Sequence, residues 1–154
     1  MVMMFVPENF EIPPVPESPA FRLEPLAPEH NDRDYAAWTS SIDHIKATPG
    51  FESKDWPHEM TLQDNLGDLV AHANDFAERI GFTYSVLDDQ EVIGCVYIYP
   101  PRSAEEQASG EPVHVHSWVT EARAELDVVL WTLVSEWITD AWPFESWAYA
   151  TRVA

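Results

Sequence analysis

The chain has 154 residues, enough for one domain with a single sizeable core; its 45% hydrophobic and 12% aromatic content is that of a globular protein despite 13 prolines. Twenty-seven acidic residues against eight basic ones give a formal net charge of -19. Phosphate binding needs Lys and Arg that displace counterions, so this field excludes nucleic acid and anionic membrane surfaces as expected partners.

The single cysteine, Cys95, leaves no internal disulfide and no cysteine-rich zinc site, and in the apolar run around Gly94 and Val96 it reads as a small buried hydrophobe. The N-terminal residues are apolar, but no Lys or Arg precedes Arg22 and no run approaches the ~18 apolar residues needed to span a bilayer. A cytoplasmic location without a membrane partner is expected.

Residues 1–20 carry Pro7, Pro13, Pro14, Pro16 and Pro19, which remove amide donors and favour extended backbone, so the segment reads as a Pro-rich arm. Its apolar residues Met3, Met4, Phe5, Phe10, Ile12 and Val15 predict docking on its own domain or on a neighbouring subunit. Residues 21–154 read as one domain. Alternation of Phe21 and Leu23 with Arg22 and Glu24 predicts a first strand over 21–26. Tyr35, Trp38, Ile42 and Ile45 at spacings of three and four predict a helix over 28–47, with Asn31 or Asp32 as N-cap and Pro49-Gly50 ending it.

A second helix opens on Thr61 and Asp64 as a capping box; Leu62, Leu66, Leu69, Val70, Ala73, Phe76, Ala77 and Ile80 predict its apolar face, and Gly81 its stop. Strands are expected at 82–87 and 92–99, joined by the polar turn Asp88-Asp89-Gln90-Glu91. Residues 102–112, rich in Glu, Ala, Ser and Gly, predict an exposed mobile loop. A third strand over 113–119 puts Val113, Val115, Ser117 and Val119 on one face and His114, His116 and Trp118 on the other. A helix from about Asp127 repeats Leu126, Val129, Leu130, Leu133, Val134, Trp137 and Ile138; Trp131 lies off that stripe and predicts a subunit contact, hence a homo-oligomer. A last strand is expected over 145–150.

The order strand, helix, helix, three strands, helix, strand resembles the GNAT acyltransferase superfamily over residues 21–149. Phe21-Arg22-Leu23-Glu24-Pro25-Leu26 is similar to the family's opening strand and Glu91-Val92-Ile93-Gly94-Cys95-Val96 to its third. The resemblance implies an α/β fold with a mixed, mainly antiparallel sheet flanked by helices and shortened at its C-terminus. It also implies an acyl-CoA-dependent N-acyltransferase that passes an acetyl or other acyl group to a small-molecule amine by direct attack. Given the acidic surface, a cationic amine such as a polyamine or aminoglycoside is the acceptor this field would steer best.

In the same resemblance Trp118, Val119, Thr120, Arg123, Ala124, Glu125, Leu126, Asp127 and Val128 occupy the place of the acyl-CoA motif, a basic or Gln residue followed by two small ones, with a backbone amide near Val119 holding the thioester oxygen. Arg123 matches the motif's first position, but Leu126 and Val128 stand where its glycines belong, hindering close approach of backbone amides to a diphosphate. Asp127, expected as N-cap, uses the same helix end and repels a phosphate by about 1 kcal/mol at 4 Å in water. Arg123 either contacts the diphosphate or neutralises Glu121, Glu125 and Asp127. The family's terminal helix, whose Tyr protonates the departing thiolate, has no counterpart here. The amine-binding half then falls to the arm, to residues 47–60 or to a second subunit.

His114 and His116 are the candidate general bases, since imidazole titrates near neutrality. Otherwise they are polar residues without chemistry. As a His-x-His pair they supply too few ligands for a metal site. The alternative to an enzyme is a non-catalytic GNAT-like binding or assembly protein that has lost acyl-CoA chemistry.

Overall fold

A computed structural model describes residues 5–101 and 112–153. Met3, Met4 and residues 102–111 of the expected mobile loop lie outside them. The elements in order are β1 (Arg22–Pro25), a 3-10 turn (Pro28–His30), α1 (Asn31–Thr39), α2 (Ile42–Lys46), α3 (Leu62–Ala77), β2 (Phe82–Asp88), β3 (Glu91–Tyr99), β4 (Val113–Val119), a second 3-10 turn (Glu121–Arg123), α4 (Leu126–Ala141) and β5 (Trp147–Tyr149). The strands form one sheet in the order β1-β2-β3-β4-β5. The first three pairings are antiparallel and β4–β5 is parallel.

Alternation along β4 divides the protein into two packed faces. Val115 and Val119 join Phe82, Tyr84, Val96 and Ile98 against Leu130, Val134, Trp137 and Ile138 of α4. The arm closes this layer: Val6 is 1% exposed, Phe5 stacks on Phe144 with ring centroids 5.1 Å apart, and Trp137 donates from Nε1 to the Pro14 carbonyl at 3.0 Å. On the other face Cys95 and Trp118 pack with Leu26, Trp38, Ile45, Phe51 and Leu69 of the α1–α3 side. Burial pushes the Cys95 thiol well above its ordinary range, so the thiol is packed and protonated. The half-buried ring of Trp131 lies 6.4 Å from the Tyr149 ring and covers β5 within the same chain.

Four expectations are corrected. The helix expected over 28–47 is broken at Ser40 and Ser41, because the Ser40 hydroxyl bonds back to the Ala37 carbonyl while the Ser41 hydroxyl accepts the Glu121 amide. The capping box of α3 is present, with Thr61 Oγ1 accepting the Asp64 amide at 3.0 Å, but only part of the apolar stripe, Leu69 and Phe76, faces the core. Leu62, Leu66, Val70 and Ile80 are exposed, whereas Asn65 and Leu69 are buried. The residue in the left-handed region after α3 is Arg79 (φ 62°), not Gly81. Its guanidinium donates to the Pro7 and Phe10 carbonyls of the arm, which holds the position. Gly81 is required for another reason: a Cβ there would lie 2.1 Å from the Tyr99 ring. Last, Glu125 and not Asp127 occupies the N-cap of α4, without a side-chain cap bond.

The seam between α1 and α3 is polar. Asn65 Nδ2 donates to Asn31 Oδ1 at 2.8 Å and to Asp34 Oδ2 at 3.0 Å, and Asn65 Oδ1 accepts the Trp38 indole at 3.0 Å. Burial, opposed by the Asn65 bond, raises the Asp34 pKa to about 6.

Two outcomes follow from this packing. The Asp34 carboxyl is neutral in the fold up to about pH 6 but ionises near 4 when unfolded, so its burial costs stability that grows between those pH values and stays lost above them. Asp34→Asn removes this dependence: in denaturant titrations the wild type should lose roughly 2–3 kcal/mol relative to the variant between pH 4 and pH 7; a flat difference would show an ordinary carboxylate. Separately, a Cβ on Gly94 would meet the Trp118 carbonyl oxygen at 2.4 Å. Gly94→Ala should cost about 2–3 kcal/mol, read as a Tm lowered by roughly 5–10 °C.

Candidate active site

Strand β4 is the wall that every candidate residue shares. Its register on β3 pairs Cys95 with Trp118 and Tyr97 with His116, and Trp118 Nε1 donates to the Tyr97 hydroxyl at 3.0 Å. That bond anchors the aromatic floor of a cavity of about 390 Å³ on the α1–α3 face. Its lining comes from β3 (Tyr97, Tyr99), β4 (His114, His116), α1 (Asp34), α3 (Asn65, Asp68, Leu69, His72, Asp75) and the segment after α2 (Phe51, Lys54, Trp56). The volume is within the range of small-molecule sites.

Of the three sources expected for an amine-binding half, the 47–60 segment reaches this cavity, while the arm packs on the opposite face. Gly50, at φ 97°, lets that segment turn against the His116 ring, which a Cβ at this position would meet at 3.2 Å. Phe51 packs edge-on to His116 with centroids 5.7 Å apart, and His114 lies 6.3 Å from His116. On the α3 side Tyr99 donates its hydroxyl proton to Asp75 Oδ2 at 3.0 Å, so its oxygen accepts from His72 Nδ1 at 2.8 Å, which places a proton on that nitrogen. Burial raises the pKa values of Tyr97 and Tyr99 above the ordinary phenol range, so both hydroxyls stay protonated at neutral pH. His72 and Asp75 were not singled out in the sequence; the signal available was a His and an Asp three residues apart on a helix, a spacing that also suits an ordinary solvated face.

The second feature lies at the β4–β5 pair. Its parallel register runs only from Val113↔Trp147 to Val115↔Tyr149, after which the strands part. Arg152 fills the gap: its Nη2 donates to the Ser117 carbonyl at 2.7 Å, Nη1 to the Ala150 carbonyl at 2.8 Å, and Nε to Asp127 Oδ2 at 2.9 Å. The guanidinium sits 5.6 Å from the centre of the Tyr149 ring, and its side chain is 2% exposed. The Tyr149 hydroxyl is hydrogen-bonded to Ser117 Oγ at 2.5 Å.

The residues expected at the acyl-CoA motif are brought to one end of the sheet but not into one cluster. Trp118 is fully buried on the α1–α3 face and Val119 on the α4 face. Thr120 ties its amide to the Ile93 carbonyl, and Arg123 and Ala124 close the turn through the Thr120 and Glu121 carbonyls. Arg123 reaches away from α4 to the β2–β3 turn, where it pairs with Asp88 at 2.7 Å and Glu91 at 3.0 Å. Glu125 is exposed, and Leu126 and Val128 are half-buried in the first turn of α4 beside Asp127.

An acyl-CoA brings an extended arm and an anionic diphosphate. The parting of β4 from β5 suits the arm, and the α4 N-terminus, with Arg152 held on Asp127 beside it, suits the anion. The guanidinia of Arg152 and Arg123, however, are held by carboxylates here, so the fit requires Arg152 to leave the gap and Asp127, and Arg123 to exchange a carboxylate for a phosphate oxygen.

No family model matches this sequence, and no curated protein does. Solved structures do match. RimL, a ribosomal L7/L12 alpha-N-protein acetyltransferase in its apo form, superposes with a TM-score of 0.61 at 11% identity over 81% of this chain and 62% of its own length. The ribosomal-protein-S5-alanine acetyltransferase from Vibrio fischeri gives 0.59 at 13% over 81% and 67%. The microcin C7 self immunity acetyltransferase MccE, in complex with acetyl-CoA and AMP, gives 0.55 at 12% over 80% and 66%. This chain thus spans less than two thirds of RimL. Likeness at these identities speaks for architecture, and the five-stranded, mostly antiparallel sheet with its flanking helices is the fold of the GNAT acetyltransferases.

Proposed function

We propose that this chain is an acyl-CoA-dependent N-acyltransferase of the GNAT type acting on an amine, in the cytoplasm and as a homo-oligomer. One observation carries the reading: His116, Ser117 and Trp118 are consecutive on β4, so the cavity wall and the β4–β5 gap are two sides of one strand, about 3.3 Å apart per residue. An acceptor in the cavity and a donor along the gap would meet at that strand. The homo-oligomer part of the reading rests on Trp131, which lies off the buried stripe of α4 and is half-buried there.

Bound acyl-CoA supplies an acyl group activated as a thioester. The chain's part is to hold the amine in the cavity, to take its proton at His116, directly or through one water, and to polarise the acyl oxygen with a backbone amide near Val119. Phe51 and Trp56 screen the site from water, and the protonated Tyr97 and Tyr99 leave imidazole as the base. RimL and the Vibrio fischeri enzyme are described as acting on ribosomal proteins; a concave cavity of about 390 Å³ favours a small amine, or the end of a chain, over a flat protein surface.

A second reading, a GNAT-fold binding protein without acyl transfer, is favoured by the Arg152–Asp127 pair that fills the gap. Calorimetric titration with acetyl-CoA at low and at physiological salt separates the two. The transferase should bind in the micromolar range, more weakly as Arg123→Ala, and release free thiol when an amine is added. His116→Ala should lower kcat by about 10²–10⁴ while leaving acetyl-CoA binding intact. Absence of heat up to millimolar acetyl-CoA sinks the transferase reading.

A further inference from the structure

We propose that the cavity selects an aliphatic amine or polyamine in its cationic form, with Asp34 as the anchoring carboxylate. The inference deepens the acceptor reading of the same cavity, and it requires no acyl-CoA.

Asp34 is 5% exposed and lines the cavity. Among the described residues one of the roughly four lone-pair positions a carboxylate offers is used: Oδ2 accepts from Asn65, Oδ1 has no hydrogen-bond partner there, and Asp34 is in no ion pair. A buried carboxylate in that condition is costly unless a cation meets it, and the described residues supply none there. The space in front of it is open and has the right walls. The aromatic residues Trp56, Phe51 and Tyr97 line it, and aromatic rings attract organic cations through the ring quadrupole. Asp68 and Asp75, seven residues apart on α3, also line it, against one ammonium among the described lining residues, that of Lys54. At a net charge of -19 the whole chain draws cations toward any cleft it lines with carboxylates.

The test is calorimetric, without acyl-CoA and at physiological salt, with spermidine, cadaverine and 1,5-pentanediol, the last a neutral chain of cadaverine's length. One saturable site for the two amines and no heat from the diol is the expected result. Asp34→Asn should weaken spermidine at least tenfold and Asp68→Asn several-fold. Asp140→Asn, exposed on α4, should leave binding unchanged. If Asp34→Asn loses its circular dichroism signature, Asp68→Asn decides. The proposal is overturned by equal binding of the diol, by no amine binding up to millimolar, by unsaturable multi-site heats, or by cavity variants that bind as the wild type does. Amine binding without acetyl-CoA binding sustains this proposal and removes the transferase, whereas acetyl-CoA binding without selection for cations does the reverse.

Discussion

The register of β4 against β3 is the constraint on which the rest of the molecule depends. A strand alternates its side chains with a period of two, so a one-residue slip would send Val115 and Val119 into the cavity and His116 and Trp118 into the dry core under α4. Each fully buried apolar side chain contributes about 1.5–3 kcal/mol, so the slip is excluded energetically many times over. Two local devices pin the register: the missing side chain at Gly94, where the Trp118 carbonyl comes close, and the indole of Trp118 on the Tyr97 hydroxyl. Because the cavity wall and the Arg152 gap are both made by this strand, their mutual position is inherited from the sheet.

The two faces are built by different chemistry. Under α4 the contacts are apolar and aromatic, and the proline-rich arm can cover them because extended, donor-poor backbone lies flat on such a surface and spends few hydrogen bonds. Across the sheet, α1 and α3 meet through Asn31, Asp34, Asn65 and Trp38, a network in which Asn65 is fully engaged and Asp34 is not. A satisfied network rigidifies its surroundings, and the partly satisfied member is where ligand chemistry can enter. The polar seam thus gives the cavity a fixed floor and a carboxylate short of partners.

Most of the architecture could be read from periodicity and caps. The apolar runs expected as strands at 82–87, 92–99 and 113–119 and the Thr61–Asp64 box gave the elements nearly at their observed limits, because each is a local property of adjacent residues. The sidedness of α3 could not be read this way: its apolar stripe is real but partly exposed, and what it buries is chosen by the polar partners Asn31 and Asp34, more than thirty residues away. The two seryl breaks after α1 were illegible for the same reason, since the hydroxyl of Ser41 answers to an amide at Glu121. Of the site, His114, His116 and Trp118 could be named from strand alternation. Asp34, His72 and Asp75 could not, because the cavity is assembled from separate elements whose only common feature is where the sheet sets them.

Arg152 has one more consequence, for the sheet as a whole. A strand that parts from its neighbour shows bare backbone, and bare backbone is a template on which another extended chain can be laid. By seating its fork on the Ser117 carbonyl, with Asp127 balancing the charge, the side chain takes the place of the strand that β5 ceases to be, and it stops the ladder growing from that point. The same residue that stands in the way of a ligand therefore also keeps the sheet from recruiting a neighbour, and loosening it for one purpose would expose the molecule to the other.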